Sequence, residues 1–472
     1  MRTMHRPAAA AGLILFLLLG SSRPARSEDT NPEDENRALR DRVSSLEQTV
    51  ELLKRQAEVR EETDAAKGLQ PIIGAGPDGF FLQSADKSYQ IRFRGYVQAD
   101  AHFFTSGDNA NSNPTNDFYL YRVRPIVEGT VAEYFDFKIM PDFGQGKVVL
   151  QDAFLNMHYW PLAQVQVGKF KEPFGLERLQ SATSLTFINR AYPTQLSPNR
   201  DVGGMLSGQW GDGLATYQLG VFDGVPDYGS TDADNNDGKD VAARLFFQPF
   251  RNSTWEPLQG LGLGFATTVG EENGTPASYQ TQGLQTFFKY ASTVEMSGTR
   301  YRLSPQAYWY WGPFGLMFEW VESSTELRNE KGPRPPINPA NVRADNTAWQ
   351  IAASYVLTGE NASYGSSYGG IVPREPFAPA KGTWGAFQVA ARFSELDVDN
   401  AVFDDGFASL RDSAKTAREA TIGLNWYLNR FVKWQINFGH TWFDGGAGSS
   451  QTNTFHDRPA ENVVVTRFQL VY

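Results

Sequence analysis

Arginine recurs at alternate positions in two stretches of this chain, Arg92 and Arg94 in IRFRGY and Arg122 and Arg124 in YRVRPI. A guanidinium never loses its charge in a protein, and its planar fork of donors matches two oxygens of an oxyanion. A spacing of two places both members of a pair on the same side of an extended strand. With Lys138, Lys169 and Lys171 they make a candidate anion-pathway set: Arg92, Arg94, Arg122, Arg124, Lys138, Lys169 and Lys171. The competing reading is structural, with each arginine bracing a wall by pairing with Asp100, Glu128 or Asp136.

Other chemistries are poorly supplied. Cysteine is absent, which removes disulfides, thiolate metal sites and thiol nucleophiles. His102, His158, His440 and His456 sit in no nucleophile motif, and neither a phosphate-cradling glycine loop nor a metal-ligand spacing occurs. The chain is therefore expected to be no enzyme and to need no cofactor. Two acidic runs, Asp223 to Asp240 and Glu395 to Asp412, are expected as external loops; they would repel an approaching anion over about 8 to 10 Å, unless calcium neutralises them.

The elements that must position the cations are strands. From Tyr89 to Phe103, Tyr89, Ile91, Phe93, Gly95, Val97, Ala99, Ala101 and Phe103 alternate with Gln90, Arg92, Arg94, Tyr96, Gln98, Asp100 and His102. Such a run is longer than an ordinary soluble strand and suits a tilted membrane-crossing one, with lipid outside and water inside. Further segments lie near 117–131, 134–142, 149–160, 164–170, 202–211, 214–222, 239–250, 260–270, 300–311, 314–325, 347–358, 383–397, 417–428, 431–443 and 461–472. That makes sixteen, the even number an up-and-down barrel with both ends on one side requires, once 271–299 is taken as one external loop carrying its own small hairpin. Short connections at 132–133, 161–163, 211–213, 312–313 and 429–430 then face the periplasm, as does one long segment, 359–381. In the second strand Tyr119, Tyr121, Val123 and Val127 are expected to face lipid, which turns Arg122 and Arg124 inward. The terminal strand places Val464, Phe468, Leu470 and Tyr472 outward and Arg467 and Gln469 inward.

Composition agrees. Aromatics make up 13% of the chain, the formal charge is -10, and the mean hydropathy is only -0.42, a combination expected of a barrel with a polar lumen and aromatic girdles. Residues 1–27, with Arg2 and Arg6, an apolar core from Leu13 to Leu19, and Ala25 and Ser27 before Glu28, form a secretory signal. Its loss removes four positive charges and no negative ones, taking -10 to -14, which argues against nucleic acid as a partner. Residues 28–67 are expected as a periplasmic coiled coil, since Leu39, Val43, Leu46, Val50, Leu53 and Ala57 keep 4,3 spacing. Residues 68–87 are expected as a linker, and 88–472 as an all-β, 16-stranded antiparallel transmembrane barrel.

Several stretches carry a family resemblance: VGKFKEPFGLERL (Val167 to Leu179), VFDG (Val221 to Gly224), SPQAYWYWGPFGLMFEW (Ser304 to Trp320), AASYVLTGE (Ala352 to Glu360) and the final strand. They resemble the phosphate-selective porin O and P family over nearly all of residues 80–472. The resemblance implies a sixteen-stranded outer-membrane barrel of the Gram-negative type, a homotrimer conducting small anions such as phosphate. It also implies that the loop after the fifth strand folds inward and narrows the pore, with Lys169 and Lys171 at its entrance. Two other readings compete: a structural protein tethering the envelope to a periplasmic partner through the coiled coil, and a receptor or adhesin displaying the long loops.

Overall fold

The computed structural model describes residues 32–68, 70–76, 79–105, 114–232, 237–329, 341–365, 370–448 and 456–472. The signal segment 1–27 and Asp234 of the first acidic run lie outside the described residues. The chain divides into two compact units, residues 1–69 and 70–472.

The first unit holds helix α1 (Pro32–Gly68). Leu39, Val43, Leu46, Val50 and Leu53 share one side of it and are all exposed. A single helix has nothing on which to bury such a seam.

The second unit begins with β1 (Ile72–Gly76) and β2 (Gly79–Gln83), a hairpin where a linker was expected. Ile72, Ile73, Phe80 and Leu82 supply β-prone side chains there. The barrel strands are β3 (Gln90–Phe104), β4 (Asp117–Val131), β5 (Phe135–Asp142), β6 (Val149–Trp160), β7 (Ala163–Phe170), β8 (Asp201–Trp210), β9 (Ala215–Phe222), β10 (Asp240–Phe247) and β11 (Leu261–Gly274). A small hairpin, β12 (Tyr279–Gln280) with β13 (Thr286–Phe288), occupies the loop that follows. The wall resumes with β14 (Val294–Trp311), β15 (Phe314–Asn329), β16 (Asn341–Val356), β17 (Ala386–Asp397), β18 (Ala414–Tyr427), β19 (Val432–Gly445) and β20 (Glu461–Val471). Leaving aside β12 and β13, each strand from β3 onward pairs antiparallel with the next, and β20 pairs with β3, so sixteen strands close a ring. The expected loop 271–299 shrinks to 275–293 because β11 and β14 continue pairing, Gly274 opposite Met296.

Closure is completed at the C-terminal residue. Gly95 and Tyr472 exchange backbone hydrogen bonds in both directions, each 2.9 Å. Glycine is needed at 95, since a Cβ there would lie 2.5 Å from the Tyr472 hydroxyl and 2.9 Å from the Arg124 carbonyl oxygen. Beyond Tyr472, β2 continues along the same edge of β3, pairing Phe80 with Phe93 and Leu82 with Ile91.

The wall is polar inside and apolar outside. On β20, Phe468, Leu470 and Tyr472 are exposed outward while Arg467 and Gln469 are buried inward. One expected phase is wrong. A β-bulge between Gln98 and Ala99 of β3 sets Arg122 opposite Gln98 but Leu120 opposite Ala99, leaving Tyr121 as the extra residue. Past the bulge the alternation flips: Phe118 and Leu120 face outward, while Tyr119 turns in to hydrogen-bond His102 at 2.8 Å and Tyr121 is buried.

Arg467 lies on the closing seam. Its Nε and Nη2 donate to the two oxygens of Asp100 at 2.7 and 2.6 Å, and both side chains are buried. Removing one partner of a buried pair leaves the other charge uncompensated. Arg467→Leu is therefore expected to lower the unfolding free energy by about 3 to 5 kcal/mol, measured by urea unfolding of the lipid-reconstituted barrel followed by gel mobility.

Candidate anion pathway

The stretch between β7 and β8, residues 171–200, contains Phe174, Leu176, Leu185, Phe187, Ile188, Tyr192 and Leu196, all almost fully buried. A loop this apolar is poorly suited to external water and folds into the barrel instead. Inward-facing side chains of the wall hold its backbone. Glu319 of β15 accepts from the amides of Leu176 and Glu177, the latter at 3.2 Å. Asn437 of β19 accepts from the Ile188 amide at 2.7 Å, and Arg467 donates to the Ile188 carbonyl at 2.7 Å. Arg392 of β17 reaches Asn189, Gln469 reaches Thr183, and Gln98 of β3 reaches Ala182. The loop is thus fastened across β15–β20 and the adjoining β3, and the remaining space lies mostly against β3–β9.

That space is a cavity of about 570 Å³, lined among the described residues by nine basic side chains and two acidic ones, Asp142 and Asp152. Lys147 is exposed on the connection between β5 and β6, and the other eight cations fall into two groups. Arg124 pairs with Asp142 at 2.7 Å and also donates to the Tyr96 hydroxyl at 2.8 Å. Asp152 sits between Arg200 at 2.7 Å and Lys138 at 3.2 Å, and Arg94 pairs with Glu128 at 2.9 Å. These four are partly neutralised and stiffen the wall.

The second group has neutral partners. Arg122 donates to the Gln98 side-chain oxygen at 2.8 Å and lies over the Tyr121 ring. Lys171 donates to the carbonyls of Leu179 and Gln180 at 3.2 and 2.8 Å. Arg190 donates to the carbonyls of Glu177 and Gln180 at 3.1 and 2.8 Å. Arg178 reaches the Thr194 carbonyl and Asn199, and lies over the Tyr228 ring. Among the described residues none of these four has a carboxylate within ion-pair distance. Carbonyl and amide oxygens orient a cation without cancelling its charge, so the field at this part of the cavity is positive. Burial, and then Arg190 and Arg200, push the Lys171 amine well below the usual lysine range.

Of the residues expected from sequence, Arg94, Arg122, Arg124, Lys138 and Lys171 line this cavity together. Arg92 and Lys169 do not. Arg92 shares the inward phase of Arg94 but sits farther along β3, opposite Phe81 of β2 and Glu128 of β4. Lys169 is drawn into an ion pair with Asp232. Lys147, Arg178, Arg190 and Arg200 also line the cavity and were outside the expected set. The signal for the three loop arginines was the apolar content of the segment that carries them.

The acidic runs also differ from the expected external repulsion. Asp227 pairs with Arg302 at 2.8 Å, and Asp240 with Arg300 and Arg302 at 2.9 and 3.4 Å, so inward arginines of β14 take up much of the first run's charge. Glu395 pairs with Arg418 at 2.7 Å in the second.

Residues 91–472 match the family described as phosphate-selective porin O and P. Porin O of Pseudomonas aeruginosa is 23% identical over 399 residues, which span 75% of this chain and 83% of that protein. Among solved structures, the outer membrane channel DcaP of Acinetobacter baumannii is 12% identical with a TM-score of 0.48, covering 84% of this chain and 99% of that one. An anion-selective porin from Comamonas acidovorans is 10% identical with a TM-score of 0.46, covering 81% and 100%. A match across four-fifths of the sequence, on a closed sixteen-stranded barrel, makes this chain a member of the phosphate-selective porin O and P family, a porin of the Gram-negative outer membrane.

Proposed function

We propose that this porin conducts small anions, inorganic phosphate among them, by passive diffusion past Arg122, Lys171, Arg178 and Arg190. The observation that carries the reading is the neutral company those four cations keep in a cavity where basic side chains outnumber carboxylates. An anion crossing the barrel must give up part of its hydration, and uncancelled guanidinium and ammonium donors replace it. Arg94, Arg124, Lys138 and Arg200, already paired, contribute field and shape more than binding. The family and the fold indicate a channel rather than an enzyme.

The zero-current potential of the purified protein across a potassium chloride gradient tests this directly. An anion-selective sign is expected, and a cation-selective sign overturns the reading. Phosphate is then expected to block chloride current at low concentration. Replacing Arg122 or Arg190 by Ala should weaken that block by about 1.5 to 3 kcal/mol, roughly tenfold or more in half-blocking concentration, because a hydrogen bond to a charged group is lost.

Lys171 supplies a pH dependence. Arg178, Arg190, Arg200 and Asp152 are the charged groups around it, and its amine loses its proton below the ordinary lysine value of about 10.4. Anion preference is therefore full at low pH and falls as pH rises, at a pH below that of an ordinary lysine. A pH series should show the fall in the wild type and little of it in Lys171→Arg, whose guanidinium stays charged.

The exposed 4,3 seam of α1 supports a coiled coil with other copies of this chain, its Val at a and Leu at d leaning toward two strands where the family resemblance implies a trimer. Deleting residues 32–68 is expected to leave single-channel conductance and its anion sign in place while reducing the oligomer recovered on crosslinking. Loss of envelope integrity with unaltered oligomer would favour the tether instead.

A further inference from the structure

The long connection between β16 and β17, described over 357–365 and 370–385, leaves the wall at the end of the short turns, the periplasmic side of the sequence scheme, and packs back against it. Its Ala362 amide donates to the Gly312 carbonyl at 2.8 Å, and Ala362 and Ile371 are buried with Val356, Ala386 and Tyr427. Tyr364 reaches farther in. Its ring stacks on Tyr308 of β14, with centroids 4.7 Å apart and planes 14° from parallel, and packs beside Leu176 and Phe187 of the inward loop.

Tyr364 also grips that loop at two points. Its hydroxyl donates to the Leu176 carbonyl at 2.6 Å, and its own carbonyl accepts from the Gln180 side-chain amide at 3.0 Å. Leu176 and Gln180 bracket the short helical turn α2 (Leu176–Leu179). The three carbonyls that hold Lys171 and Arg190 belong to Glu177, Leu179 and Gln180, on this same turn or directly after it. Glu319 fixes the other side of the turn through the Leu176 and Glu177 amides. One platform therefore sets where two of the four uncancelled cations stand, and a periplasmic residue clamps both of its ends. Tyr364 does not itself line the cavity.

We propose that Tyr364 is a positioning residue for the anion pathway, acting through α2 on Lys171 and Arg190, so that the periplasmic segment 357–385 helps set the selectivity of the pore. The inference rests on the anion-conduction reading above. Selectivity depends on where fixed charges sit relative to the passing ion, and Coulomb energies at contact distances in a protein environment change strongly with small displacements. Releasing the platform lets Lys171 and Arg190 spread away from the cavity without removing either charge from the chain.

The test is the zero-current potential of full-length variants in planar bilayers across a potassium chloride gradient, repeated over a range of pH. Tyr364→Ala should lower the anion-to-cation permeability ratio several-fold and move the pH at which that ratio falls upward, as Lys171 escapes Arg178, Arg190 and Arg200 while Asp152 stays on the wall. Tyr364→Phe loses the hydroxyl grip on Leu176 but keeps the stack on Tyr308 and the carbonyl that receives Gln180, and should lower the ratio part of the way. Gln180→Leu, which loses the other grip and leaves the segment's own packing intact, should lower the ratio in the same direction and serves if Tyr364→Ala fails to insert. An anion-selective wild type whose Tyr364→Ala and Gln180→Leu variants keep both the ratio and its pH dependence, whatever happens to conductance, overturns the inference alone. A wild type without anion preference overturns the conduction reading and this inference together.

Discussion

Arg467 ties the two halves of the architecture together. Its guanidinium spans the seam where the last strand meets the first by gripping both oxygens of Asp100, and its remaining donor holds the Ile188 carbonyl of the inward loop. The same buried charge thus closes the cylinder and anchors what fills it. Burying such a pair is favourable only when geometry is good and the spare hydrogen-bonding capacity is met, and here bidentate contact plus one loop carbonyl meets it. Without that anchorage the positive cavity would lose the boundary that Lys171, Arg178 and Arg190 provide.

The rest of the loop's fastening follows one physical rule. Residues 171–200 bring backbone amides and carbonyls into a space largely shielded from bulk water, and each such group needs a partner. The wall supplies them from inward positions on β3, β15, β17, β19 and β20, through Gln98, Glu319, Arg392, Asn437 and Gln469. Because these partners are concentrated on one side, the unfilled space is off-centre. Off-centre filling is why the cations of β3–β5 face the cations of the loop across a single cavity, so that fixed positive charges surround it on two sides.

Much of this was legible in the sequence. Period-two alternation and turn lengths located every strand of the ring, since a membrane wall with lipid on one face and water on the other punishes any slip of register. The inward arginines Arg94, Arg122 and Arg124 followed from the same phase. Three things did not. The bulge at Tyr121 breaks the alternation locally and is invisible to a strict period. Lys169 shares the alternation of the outward Val165 and Val167 rather than that of Gln166 and Phe170, and is claimed by Asp232, a partner 63 residues away that no local pattern announces. The loop arginines Arg178 and Arg190 were outside the expected set although the family resemblance implied an inward loop, because which of its side chains reach the cavity is a tertiary decision.

The placement of β2 bears on assembly. The ring closes by pairing β20 with β3, segments separated by more than 300 residues, and a contact so distant in sequence carries a large loop-closure cost and forms slowly. Until then β3 presents an open row of amides and carbonyls, the kind of edge that recruits foreign strands. The β1–β2 hairpin is only a few residues upstream and covers β3 from Gln90 to Phe93, the stretch that β20 never reaches. Being local it can form early, leaving exposed only the length of edge that the C-terminal strand, down to its final tyrosine, is long enough to claim.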